Sequence, residues 1–174
     1  NPFGQAILAV LIQVGGLGVS TMGAGVLLML GRKVGIRQRN LIHDTMNLDS
    51  YSGVVRFLRT LFATTVFIEV IGAFLGYFVF RRDYEMMESI GLSIFHSISS
   101  FNNAGLTILT KERSMEMYAE DPFMLILTTA LVFVGGLGFI VIRECWVNRF
   151  RWRKLSMHSR VSIFMAVFLL IGGA

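Results

Sequence analysis

Residues Ile90 to Leu109 read IGLSIFHSISSFNNAGLTIL. That is the length of a bilayer crossing, roughly 20 residues, yet it carries Ser93, His96, Ser97, Ser99, Ser100, Asn102 and Asn103. A helix facing lipid tolerates few such groups, because hydrocarbon offers them no hydrogen-bond partner. Leu92, Phe95, Ile98 and Phe101 recur near helical spacing, so Gly91–Phe101 is expected to form a short helix with its serines and His96 between the apolar positions. Asn102-Asn103-Ala104-Gly105 should end it, since Asn and Gly favour turns and left-handed backbone. Leu106-Thr107-Ile108-Leu109 would then return as an extended strand.

The surroundings are those of a membrane protein. Of 174 residues, 54% are hydrophobic and 16% charged, with a mean hydropathy of +0.65; a soluble domain has about 25% charged. Apolar runs occupy Phe3–Leu30, Val55–Phe80 and Pro122–Ile142, each long enough to cross, and Val161–Ala174, which is short of a span. The chain opens on Asn1-Pro2-Phe3 without a basic flank, which does not fit a signal peptide. With the short final run, it is expected to be a piece of a longer protein. Cys145 is the single cysteine, which excludes an internal disulfide.

The net charge of +5 is unevenly placed. Gly31–Thr60 carries Arg32, Lys33, Arg37, Arg39, Arg56 and Arg59 against Asp44 and Asp49. Arg143–Arg160 carries Arg143, Arg149, Arg151, Arg153, Lys154 and Arg160 against Glu144. The stretches Arg81–Ser89 and Lys111–Asp121 each have more acidic than basic residues. Positive loops stay in the cytoplasm, so the chain crosses an even number of times between the two basic loops. Val55–Phe80 and Pro122–Ile142 supply two crossings, and a third through Ile90–Leu109 would break the parity. Ile90–Leu109 is therefore expected to be re-entrant.

Irregular backbone at membrane depth is tolerated where it is buried in protein or lines a watery path. A short helix descending from outside points its negative C-terminal end inward, where it favours a cation. The carbonyls that follow can replace an ion's hydration shell. The plainer alternative is an amphipathic helix with a glycine cap lying on the membrane surface.

Val14-Gly15-Gly16-Leu17-Gly18 recurs as Val134-Gly135-Gly136-Leu137-Gly138, 120 residues later. A duplication of this length is common in transport proteins. It divides the chain into the second helix of one repeat with a cytoplasmic loop (1–54), a complete helix–loop–helix repeat (55–142, loop 90–109), and a second cytoplasmic loop with the first helix of the next repeat (143–174). Close helix packing through Gly15, Gly16, Gly18, Gly135, Gly136 and Gly138 is the expected role of the cluster, with a hinge or pore-lining role as the alternative. A dinucleotide fingerprint is excluded, because Thr21 and Val141 stand where the third glycine should be and no strand precedes either copy.

Four segments together resemble the Ktr/Trk/HKT superfamily of cation transporters. They are Leu11–Gly18 (LIQVGGLG), Phe95–Leu106 (FHSISSFNNAGL), Val134–Phe139 (VGGLGF) and Leu155–Arg160 (LSMHSR). The family often has Phe after the filter glycine, where this chain has Leu106. The resemblance implies an all-α membrane protein of four helix–pore loop–helix units with pseudo-fourfold symmetry, of which this chain holds about one and a half. It implies that Asn103, Ala104 and Gly105 supply backbone carbonyls to one quarter of a filter for K⁺, with Na⁺ as a second candidate. Asn102, Leu106 and Thr107 would support the loop. It further implies a homodimer, regulated by a cytoplasmic RCK/KTN ring that carries the nucleotide, and a gating loop in a later repeat.

Glu69 lies mid-span, where a carboxylate is expensive. It is expected to brace the loop from behind through a hydroxyl or His96, and His96 is expected to pack and hydrogen-bond rather than bind an ion. The basic runs Arg32–Arg39 and Arg149–Lys154 set topology and meet anionic lipid heads, with contact to the ring as an addition. No soluble domain presents them to nucleic acid, and no catalytic constellation argues for an enzyme. The expected function is potassium uptake across a prokaryotic cell membrane, spanned several times. The alternative is a non-conducting scaffold whose polar hairpin binds a lipid or a partner helix.

Overall fold

A computed structural model describes residues 2–18, 51–109, 115–148 and 151–172. The rest of the first apolar run, the basic residues Arg32, Lys33, Arg37 and Arg39, and Lys111, Arg113 and Arg149 lie outside these. The described residues form helices, turns and irregular segments, with no strand among them. The chain divides into two compact units, Asn1–Ile68 and Glu69–Ala174.

In the first unit, α1 (Pro2–Leu17) buries Ile12 and Leu17 and leaves Phe3, Val10 and Leu11 exposed. The long helix α2 (Tyr51–Phe80) begins in this unit and ends in the second. Its Leu58–Phe80 portion is, among the described residues, the helix long and apolar enough to cross a membrane.

The second unit continues with α3 (Met86–Phe101), α4 (Pro122–Gly136), α5 (Phe139–Val147) and α6 (Met157–Gly172). The apolar run Pro122–Ile142 is thus two helices rather than one. The α-helix stops at Gly136, Gly138 takes φ +80°, and a new helix starts at Phe139. The same words of sequence give the same backbone in the first unit: α1 ends at Leu17, and Gly18 takes φ +82°. In both copies the N–H of the last glycine reaches the carbonyl three residues back, Gly18 to Gly15 at 3.2 Å and Gly138 to Gly135 at 3.4 Å.

The two ends of the α3 excursion are tied together. Arg82, just past α2, donates to Asp121 at 2.6 Å, and the Tyr118 hydroxyl donates to Asp83 at 2.9 Å. Asp121 is also the N-cap of α4, accepting from the N–H of Phe123 and Met124 at 2.9 and 3.1 Å, with Pro122 at the first helical position. Phe80 sits in the middle of this end, edge-on to Tyr118 at 5.3 Å and to Tyr84 at 6.4 Å. These bonds place Arg82 and Asp83, just past α2, beside Tyr118 and Asp121, just ahead of α4.

At the opposite end, Glu144 of α5 holds the start of α6. Its carboxylate accepts from the Ser156 N–H at 2.9 Å, the Ser156 hydroxyl at 2.8 Å and the Ser159 hydroxyl. A negative group there meets the positive end of the helix. Val141, Cys145 and Leu155 form the apolar cluster beneath it, with Leu137 and Ile163 against them.

Candidate functional site

The buried side of α3 is rich in serine. Ser89, Ser93, Ser97, Ser99 and Ser100 are buried together with Leu92, Phe95 and Phe101, while Ile90 and Ile94 are exposed. Small hydroxyl side chains let helices approach closely and can bond to nearby main-chain carbonyls. Ser89 donates to Glu85 O at 2.8 Å and Ser93 to Ile90 O at 3.0 Å. Ser97 crosses to α2 and donates to Glu69 O at 2.7 Å. Glycines on α2 meet these serines at matching four-residue spacing. A Cβ on Gly72 would strike the Ser97 hydroxyl and Leu131, and one on Gly76 would lie 3.6 Å from Ser93 Cβ. Gly72 and Gly76 are hidden by the apolar run around them, although their four-residue spacing is a small-residue packing signal.

Glu69, 9% exposed, reaches the turn after α3: its Oε1 accepts from Asn102 Nδ2 at 3.2 Å. The Asn102 amide also donates to Ile98 O at 2.9 Å. His96 turns the other way, with Nε2 3.0 Å from Thr128 Oγ1 on α4, 3.4 Å from Ser100 Oγ, and its ring 5.9 Å from Phe80. Glu69 and His96 thus secure α3 and its turn from opposite neighbours.

α3 ends in a Schellman turn. The Asn103 N–H donates to Ser100 O at 3.1 Å and the Ala104 N–H to Ser99 O at 2.9 Å, with Asn103 in the left-handed region at φ +55°. Asparagine tolerates that conformation better than most residues. Gly105 follows at φ +66°, with open space where a Cβ would be. Leu106 is then fixed by Ser99, whose Oγ donates to Leu106 O at 2.7 Å and accepts from Leu106 N–H at 2.9 Å. The expected strand Leu106–Leu109 is an irregular segment without ladder pairing, and Thr107 Oγ1 accepts from the N–H of Leu109 at 3.2 Å.

Asn103, Ala104 and Gly105 are exposed, and no hydrogen bond among the described residues takes their carbonyls. They sit at the C-terminal, partly negative end of α3. Among the described residues, no cluster of His, Cys, Asp and Glu side chains is arranged to hold a metal ion.

The second glycine cluster lies directly behind the turn. A Cβ on Gly135 would collide with the Phe101 carbonyl and come within 3.2 Å of Asn103 Nδ2, while at Gly136 the same amide is 3.9 Å away. Gly138 instead provides the left-handed break between α4 and α5. Gly15, Gly16 and Gly18 belong to the first unit, where Gly15 and Gly16 are exposed and a Cβ on Gly15 would meet nothing within 4 Å.

The TrkH family, described as a cation transport protein, matches residues 1–169. The chain belongs to the TrkH family. It is similar to the Ktr system potassium uptake protein B of Bacillus subtilis, 32% identical over 161 residues that cover 92% of this chain and 36% of the relative. It is 33% identical over 173 residues to the potassium/sodium uptake protein NtpJ of Enterococcus hirae, covering 99% of this chain and 38% of that one. The Ktr system potassium uptake protein B of Vibrio alginolyticus is 33% identical over 177 residues, covering 98% and 37% respectively. This TrkH-family chain therefore spans little more than a third of the length of the curated relatives it matches.

Proposed function

We propose that Asn103, Ala104 and Gly105 form one quarter of a cation filter in a multi-pass cell-membrane protein that takes up potassium, or potassium and sodium. The observation that carries this is the turn itself: three exposed residues with unclaimed carbonyls, two of them at positive φ, at the C-terminus of a helix. A re-entrant path is supported by the Arg82–Asp121 and Tyr118–Asp83 bonds, which bring both ends of the excursion to one side. The names of the relatives, potassium and potassium/sodium uptake proteins, agree with the ion class.

In this scheme an ion sheds water against the three carbonyls, and the α3 dipole favours positive charge where they converge. Three further quarters come from other helix–loop–helix repeats, for which the greater length of the relatives leaves room. The assembly is a homodimer regulated by a cytoplasmic RCK/KTN ring, and nucleotide binds that ring rather than this chain.

Gly105→Ser in the full-length protein tests the filter. The left-handed backbone at φ +66° disfavours any L side chain, so the carbonyls shift and potassium-over-sodium selectivity falls. Unchanged selectivity in a flux assay would reject the filter and leave a membrane scaffold as the function of the hairpin.

A further inference from the structure

Ser99 joins the two limbs of the hairpin. It is 2% exposed and lies on the last turn of α3, yet three of its bonds go to residues on the far side of the turn. Its carbonyl accepts from the Ala104 N–H at 2.9 Å. Its hydroxyl accepts from the Leu106 N–H at 2.9 Å and donates to the Leu106 carbonyl at 2.7 Å. Gly105 is the single link between those anchored residues, left-handed and with no Cβ contact to hold it. The orientation of the Ala104 and Gly105 carbonyls is consequently set at both flanks by one serine.

We propose that Ser99 is a positioning residue for ion selectivity, acting through the main chain of Leu106 rather than by touching the ion. The inference rests on the filter reading of Asn103–Gly105. The chemistry requires a hydroxyl. Leu106 turns both its N–H and its carbonyl to the same place, as a residue does on the edge of a sheet. With no strand beside it, its partner must offer a donor and an acceptor together. A hydroxyl does so from one rotatable oxygen, a thiol does so weakly, and a methyl does neither. Without the hydroxyl, Leu106 has two polar groups unpaired at membrane depth. The peptide then turns to find water or another partner. That turn moves the Gly105 carbonyl, and a filter that distinguishes cations by carbonyl position and number loses discrimination before it loses conduction.

The buried hydroxyls nearby behave differently. Ser89 and Ser93 bond to Glu85 and Ile90 carbonyls close by in sequence, and Ser97 bonds to α2. Ser93 is thus a matched control: a buried α3 serine whose loss removes a hydroxyl bond but leaves the return segment anchored.

The test measures the potassium-over-sodium uptake ratio of the full-length protein in liposomes. Ser99→Ala should lower the ratio by about tenfold, the equivalent of one to two lost hydrogen bonds, with potassium flux retained. Ser99→Thr, which keeps the hydroxyl, and Ser93→Ala should both keep the parent ratio. A parent ratio in Ser99→Ala overturns the proposal, as does an equal loss in Ser93→Ala. Should Ser99→Ala fail to accumulate in the membrane, Ser99→Gly, which also lacks both groups, replaces it, and a parent ratio there is equally fatal. If Gly105→Ser relaxes selectivity while Ser99→Ala does not, the positioning role alone fails. If neither has an effect, the filter itself is misplaced.

Discussion

Asn103 and Gly135 meet across the α3–α4 contact, and the contact works because one of them has no side chain. A methyl on Gly135 would occupy the space of the Phe101 carbonyl, the last carbonyl of α3 before the turn. Backbone cannot swing aside as a flexible side chain can, so α3 and its turn would have to lift off α4. Gly135→Ala is expected to destabilise the full-length protein by roughly 1–3 kcal/mol, the usual cost of overpacking. Gly76→Ala should do the opposite. Its nearest neighbour would be at an ordinary 3.6 Å, and replacing a helical Gly by Ala gains up to about 1 kcal/mol. Thermal unfolding in detergent separates the two: a lower midpoint for Gly135→Ala, an equal or higher one for Gly76→Ala. Much of this level was legible in the residues. Asn102-Asn103-Ala104-Gly105 announces a turn through its own conformational preferences, and Glu69 stands out as a carboxylate in an apolar run. What was not legible is which polar group meets which. Glu69 finds the Asn102 amide and His96 finds Thr128, 33 and 32 residues away in sequence, and such pairings depend on helix register that composition does not encode.

At the scale of elements, the largest departure from the sequence expectation is the break in Pro122–Ile142. Hydropathy is blind to it, because Leu137 and Gly138 leave the apolar run intact while Gly138 leaves right-handed space. The repeated Val-Gly-Gly-Leu-Gly did carry the signal: Gly18 and Gly138 have the same φ to within 2°. The helix starts add a pH dependence. The Met124 N–H above all holds the Asp121 carboxyl below its ordinary value; desolvation opposes it, and the Phe123 N–H and the Arg82 guanidinium add to the lowering. The Ser159 hydroxyl, with Ser156, does the same for Glu144. A carboxyl with a lower pKa when folded stabilises fully above its unfolded pKa, near 4, and loses that contribution as the pH falls towards its folded pKa. The unfolding midpoint should therefore be insensitive to these two groups from pH 7 to about 5 and decline below about 4. Glu144→Gln, which cannot titrate, should show a shallower acid limb; an identical limb would mean that the α5–α6 clamp contributes nothing.

Among the described residues, large apolar side chains stand exposed on α2 and α6 while α3 buries a row of hydroxyls. Phe164, Phe168, Leu169 and Ile171 of α6 are exposed, as are Val66, Phe67, Val70 and Phe74 of α2, whereas the serines of α3 are buried. Exposed apolar faces of this kind mark surfaces that meet lipid or other protein, and they fit a chain that is 54% hydrophobic and 16% charged. On the re-entrant path proposed above, the serine face also constrains the order in which the protein is made. α3 offers too many hydroxyl and amide groups to enter hydrocarbon unaided, and its partners are divided between α2, synthesised before it, and α4, synthesised after it. With Cys145→Ser in place, nascent chains that end at Tyr118 should leave Ser97→Cys open to a membrane-impermeant reagent, while chains extended through Val147 should protect it. Protection in the shorter chain would mean that α3 descends without α4. Otherwise the hairpin is a late arrival in its own bilayer, lowered into place by a helix the ribosome has yet to release.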